Sequence, residues 1–117
     1  MNAPINTLEP QSPLQNTEAI KYDDGKIQWN LLPGPEIEQV VHLLTIGAQK
    51  YSPENWRQGF KWSRVFNALM RHLWKFWWYN ESYDEETECH HLTSVALMAL
   101  WLLHYDQEDI GEDDRRH

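Results

Sequence analysis

The sequence predicts an all-α fold, a small bundle of three to four helices forming one ordered domain. Three observations lead there: apolar residues recur at three- and four-residue spacing over three stretches, no block alternates with the period of a strand, and 117 residues is one domain's worth of chain. The bundle is expected to be a homo-oligomer. Seven tryptophans, five tyrosines and three phenylalanines are more large aromatic surface than a lone small bundle hides comfortably.

Residues 1–20 hold three prolines, three asparagines and two glutamines, and their apolar residues follow neither period, so they read as a flexible N-terminal arm. Lys26 to Leu31 suits a short extended segment at most. Pro33-Gly34-Pro35 then breaks the chain, and Ile37, Val40, Val41, Leu44 and Ala48 form the apolar stripe of a first helix. A loop from Gly47 to Pro53 is expected to end it, followed by the turn-like Asn55-Trp56. The second helix is expected from Ser63, as N-cap, to about Tyr79. It carries an aromatic face beside a line of Arg64, Asn67, Arg71 and Lys75. The third, about Cys89 to Tyr105, is apolar almost all round from Val95 to Leu103, which suits a central or inter-subunit position. After it the chain turns acidic and aperiodic, so residues 106–117 read as a solvated acidic tail and 21–105 as the ordered domain.

The net charge of −8 argues against binding duplex nucleic acid through its phosphates. Acidity is concentrated at the ends: the arm carries −2 and the tail −4, leaving −2 on residues 21–105. The single cysteine, Cys89, excludes an internal disulfide and a thiolate metal cage, and suits a reducing cytoplasm. The longest apolar run, Val95 to Leu103, is far short of the ~20 residues of a membrane span, so no membrane partner is expected.

Chemistry is concentrated between the second and third helices. Glu81, Asp84, Glu85, Glu86 and Glu88 place five carboxylates in eight residues, and Cys89-His90-His91 follows. Such a cluster repels itself unless solvated or bridged by a cation. One reading is plain: an acidic turn in which Ser82-x-x-Glu85 is a capping box and the acids complement the third helix dipole. The other is a metal site. If the second helix runs one further turn, Glu81 and Asp84 share a face at i and i+3, and Glu86 and His91 complete or hydrogen-bond the shell. Oxygen-rich ligation suits Mg²⁺, or Mn²⁺ if a histidine joins. Arg71 and Lys75 on the preceding helix are then placed for phosphate oxygens, although spaced helix charges are commonly only solvated. His72, beside Leu73 and Phe76, reads as a core histidine. Lys21 and Lys26, flanking the Asp-Gly turn, could clamp phosphate from a loop. No phosphate-binding glycine loop, Gly-x-Ser-x-Gly or Cys/His nucleophile pair occurs.

The order of the segments Lys21-Tyr22-Asp23-Asp24-Gly25-Lys26, Leu31-Leu32-Pro33, Gly47-Ala48-x-Lys50-Tyr51, Asn55-Trp56, Arg71-His72-Leu73-Trp74, Glu81-x-x-Asp84-x-Glu86-Thr87 and His91-Leu92 resembles the phage and prophage dATP/dGTP diphosphohydrolase family. That family is similar to the all-α nucleoside triphosphate pyrophosphohydrolases of the MazG type. The resemblance implies a helical, oligomeric, Mg²⁺-dependent (or Mn²⁺-dependent) enzyme that splits a purine dNTP into dNMP and pyrophosphate. It would tune the nucleotide pool during phage replication, in the host cytoplasm if a phage encodes it. It implies Glu81, Asp84 and Glu86 as metal ligands and Glu86 and His91 as catalytic groups. Lys21, Lys26, Lys50, Asn55, Trp56 and Arg71 become substrate-binding. The chain departs from the pattern at Asn80, Glu88 and Ser94, where glycine, glycine and histidine are expected, and it lacks the Glu-Glu-x-x-Glu half of the metal motif. The shorter carboxylate set keeps an alternative open: a non-catalytic sponge for a nucleotide or a nucleotide immune signal.

Overall fold

The structure is a computed structural model that describes residues 19–116; residues 1–18, most of the expected arm, and His117 lie outside the described residues. The chain divides into two units, residues 1–30 and 31–117. In the first, a turn joins Asp23 to Lys26, with the Lys26 amide donating to the Asp23 carbonyl at 3.1 Å and Gly25 at φ 81°. Asp-Gly supplies that turn because glycine accepts a positive φ without a Cβ clash. Where an extended segment was conceivable, Trp29–Leu31 instead makes a single 3-10 turn.

The second unit holds three helices, α1 (Gly34–Lys50), α2 (Trp62–Trp77) and α3 (His91–Glu108), and a 3-10 turn at Asn55–Gln58. Among the described residues there is no strand, only two isolated bridges, Lys61 with Glu112 and Tyr83 with His90. The all-α expectation holds. α1 and α2 both pack on α3 rather than on each other, which leaves a groove between them floored by α3. Among the described residues, no helix is long and apolar enough to cross a membrane.

Pro35 lies in the first turn of α1, where its missing N–H is one of the helix's unpaired donors in any case. Gly47 does not end α1. The helix runs on to Lys50, and the Tyr51 amide closes it on the Gly47 carbonyl at 2.9 Å. Glycine weakens a helix by about 1 kcal/mol without blocking its hydrogen bonds, so the ladder can pass through it. α3 closes on Asp109 in the left-handed region, φ 57°, with the Ile110 amide returning to the Tyr105 carbonyl at 3.0 Å.

The core is built by Trp62 and Val65 from α2 and Tyr105 from α3, surrounded by Trp56, Phe60, Met98, Trp101, Leu102 and Ile110. Tyr105 is 0% exposed, and its hydroxyl donates to the Trp56 carbonyl at 2.6 Å, which ties the connector before α2 to the end of α3. Trp56 in turn stacks on Trp101, with centroids 5.8 Å apart and an interplanar angle of 7°. Outside this core, Phe66, Trp74 and Trp77 of α2 and Leu100 and Leu103 of α3 remain largely exposed in the single chain.

The reading of residues 106–117 as a solvated tail is corrected. α3 continues to Glu108, and the following residues dock on the start of α2. The Trp62 amide donates to the Glu112 carbonyl at 2.9 Å and the Trp62 indole to the Ile110 carbonyl at 2.8 Å. Asp114 accepts from the Ser63 amide at 2.9 Å and the Ser63 hydroxyl at 2.5 Å. Ser63 is therefore not the N-cap. The carboxylate of Asp114 supplies the cap from 51 residues away, where negative charge also complements the helix dipole.

Those hydrogen bonds, the Ser63 hydroxyl first, hold the Asp114 carboxyl below its ordinary value. A carboxylate depressed in the folded state contributes stability that is complete above its unfolded pKa of about 3.9 and is lost as pH falls through the lower folded value. The difference in melting temperature between the native protein and Asp114→Asn should therefore be constant at neutral pH and shrink below about pH 4. A pH-independent difference would show that the carboxylate charge has no part in the cap.

Candidate functional site

The loop between α2 and α3 is organised by Asp84. α2 ends at Trp77, and Asn80, at φ 57°, turns the chain while the Glu81 amide donates to the Lys75 carbonyl at 3.0 Å. Asparagine is among the few residues that tolerate this conformation, so the helix does not take the further turn that would have set Glu81 and Asp84 on one face. The second Asp84 carboxylate oxygen accepts from the Thr87 amide at 2.9 Å and the Thr87 hydroxyl at 3.1 Å. The Asp84 amide donates to the Cys89 carbonyl and the Glu88 amide to the Asp84 carbonyl, both at 2.8 Å. The Asp-x-x-Thr spacing thus folds into a closed side-chain turn. His90 is the N-cap of α3, its Nδ1 accepting from the Leu92 amide at 3.0 Å.

This turn delivers Asp84 to two histidines. Nδ1 of His72, on α2, lies 2.8 Å from Nδ1 of His91, the first residue of α3. One ring nitrogen of each histidine and one Asp84 oxygen all fall within 4.8 Å of one another, a donor set that could hold a metal ion. His91 is 1% exposed, and its amide is tied to the Ser82 carbonyl at 2.8 Å. Among the described residues its Nε2 has no hydrogen-bond partner; the nearest carboxylate oxygen there, Oε1 of Glu81, is 3.9 Å away. Burial pushes the His72 imidazole down, and the negative charge of Asp84 only partly offsets this. Burial alone would push the Asp84 carboxyl up, but the Thr87 amide and hydroxyl and the adjacent imidazoles outweigh it, holding it below its ordinary value. A neutral imidazole beside an ionised carboxylate is the protonation state metal ligation needs.

The cluster borders a cleft of about 1080 Å³ between α1 and α2, with Leu97, Met98 and Trp101 of α3 in its lining. That is the size of a large small-molecule site. Lys50, Asn55, Trp56, Arg71, Asp84 and Glu86 all line it, which gathers six of the expected site residues from four separate segments. Arg71 has no carboxylate partner among the described residues. Lys50 pairs with Glu86 at 3.0 Å, and that hydrogen bond raises its pKa. Trp56 lines the cleft while stacked on Trp101, with Arg57 4.5 Å above its ring. Glu81 is exposed at the edge of His91, and Glu86 is not one of the three clustered donors. Lys21 and Lys26 lie in the first unit, at the Asp23 turn. His72 was read as a core residue. Its signal in the sequence is position: it shares the inward stripe of Trp62, Val65, Leu69 and Phe76, where an ionisable group needs a partner.

A curated relative, a dATP/dGTP diphosphohydrolase of Salmonella phage PMBT28, is 37% identical over 100 residues, which is 83% of this chain and 33% of that protein. The chain therefore spans about a third of the length of the relative it matches. No solved structure matches it. Residues 16–115 match the family model described as dATP/dGTP diphosphohydrolase, N-terminal, a span that takes in all three helices, the Asp84 turn and the docked segment through Asp114. The protein belongs to that family.

Proposed function

We propose that the protein binds a purine deoxynucleoside triphosphate in the cleft and hydrolyses it, with a divalent ion, Mg²⁺ or Mn²⁺, to the monophosphate and pyrophosphate. One observation carries this reading: Arg71, without a carboxylate partner among the described residues, and the Lys50 ammonium of the exposed Lys50–Glu86 pair line the same cleft as Asp84 and His72, with His91 buried beside them. A triphosphate needs both halves, cations for its outer oxygens and a metal to bridge it to the protein. Asp84 anchors the ion, Glu86 orients the attacking water toward the α-phosphorus, and Lys50 and Arg71 offset the charge that develops there. Asn55 and the edge of Trp56 contact base or sugar. A homo-oligomer covers the exposed stripes of α2 and α3, and sedimentation at the mass of a single chain would remove that part.

The single carboxylate in the donor cluster favours a second reading, a nucleotide sponge that binds without turnover. Incubating the protein with each dNTP and Mg²⁺ or Mn²⁺ separates the two, since only the hydrolase releases dNMP and pyrophosphate. Removing an unpaired guanidinium that contacts phosphate costs about 1.5–3 kcal/mol, so Arg71→Ala should lower kcat/KM by roughly 10- to 100-fold. Unchanged kinetics in that variant would remove Arg71 from the site.

A further inference from the structure

Resting on the reading that a divalent ion acts in the cleft, we propose that His72, Asp84 and His91 hold a first-row transition-metal ion in preference to Mg²⁺. Glu81 then positions His91 instead of ligating the ion. The geometry of the two imidazoles is the starting point. Their Nδ1 atoms are 2.8 Å apart. In an octahedral shell with bonds of about 2.1 Å, neighbouring ligand atoms sit about 3.0 Å apart. An ion placed beside both nitrogens would therefore keep their separation almost unchanged, and one oxygen of Asp84, whose carboxylate is held by Thr87, lies within 4.8 Å of both.

Without an ion, the pair is poorly satisfied. If His91 donates from Nδ1 to His72, its Nε2 is a buried acceptor with no donor. If it accepts at Nδ1, its Nε2–H is a buried donor with no acceptor. Ligation through Nδ1 resolves this: it fixes the proton on Nε2, and that N–H faces Glu81 Oε1 at 3.9 Å, close enough for a small rotation to complete the bond. A carboxylate on the far nitrogen of a ligating imidazole orients the ring and raises its basicity. Two nitrogens and one carboxylate are also a poor shell for Mg²⁺, which prefers oxygen throughout, and a good one for Mn²⁺, Fe²⁺ or Co²⁺.

The test titrates the full chain, free of nucleotide, with Mg²⁺, Mn²⁺ and Co²⁺ by calorimetry, and records the proton spectrum of the Co²⁺ form. Expected are one Mn²⁺ or Co²⁺ per chain, affinity at least about 100-fold above that for Mg²⁺, and two strongly shifted imidazole N–H resonances. His72→Gln and His91→Gln should each lose at least about 100-fold in affinity, Glu81→Gln about 10- to 100-fold with the stoichiometry kept, and Glu86→Gln none. Should the histidine variants fail to fold, the shifted resonances of the native chain decide. Equal affinity for Mg²⁺ and Mn²⁺, or bound Co²⁺ without shifted imidazole protons, overturns the assignment. Turnover of dNTP with Mg²⁺ and no histidine-bound ion would overturn it while leaving the hydrolase reading in place. Histidine-bound Co²⁺ with every dNTP left intact under all three metals would do the reverse.

Discussion

Gly111→Ala is expected to destabilise the fold by about 3 kcal/mol, lowering the melting temperature by roughly 10–20 °C, although residue 111 does not itself line the cleft. The cause is a crossing of two backbones. A Cβ on Gly111 would drive into the Phe60 carbonyl oxygen and meet the Trp62 indole nitrogen at 3.3 Å. A Cβ on Gly59 would meet the Gly111 amide nitrogen at 2.6 Å. Both glycines also hold positive φ, 95° for Gly59 and 78° for Gly111, which costs a residue with a side chain a further ~1 kcal/mol or more. The clashing atoms belong mainly to the main chain, so no rotamer change relieves them. The docked segment must move, and with it go the Asp114 cap on α2 and the acceptor of the Trp62 indole. Gly25→Ala is the control, since it shares the positive φ but has nothing within 4 Å, and it should cost far less. Equal melting temperatures for Gly111→Ala and Gly25→Ala would show that the crossing contributes nothing.

This crossing marks where sequence reasoning stopped. The three helices were legible because their apolar spacing is local information, and so was the crowding of carboxylates beside histidines between the second and third; which of them converge was not, because Glu81 and Glu86 stay outside the donor cluster and His72 joins it from α2. The docking of Ile110 to Asp114 was not legible, because a run of acids looks solvated until the helix terminus it caps is brought beside it. Asn80 illustrates a subtler limit. It stands where the resemblance expects glycine and holds φ 57°, a left-handed conformation that glycine adopts freely and asparagine tolerates. His72 was hidden by its own setting, an apolar stripe that reads as core until His91 is seen 2.8 Å away.

On the proposed hydrolase reading, Asp84→Asn is expected to lower dNTP turnover by about 10³-fold or more while changing stability by less than ~1 kcal/mol. The two effects separate because the carboxylate has two jobs. As a hydrogen-bond acceptor it closes the turn on the amide and hydroxyl of Thr87, and an asparagine side-chain oxygen can do the same. As a charge it is the single carboxylate in the donor cluster, and an amide cannot replace that function. Asp84→Ala removes both and should melt earlier as well. Glu86→Gln completes the comparison. Its carboxylate is exposed and bound to Lys50, so the fold should be untouched, and loss of the proposed water-orienting role should cost about 10²- to 10³-fold in kcat with little change in metal affinity. Circular dichroism melts and steady-state kinetics on the three variants read these terms independently. If Asp84→Asn turns over dNTP at the native rate, the ion does not sit on Asp84, and the hydrolytic centre lies elsewhere.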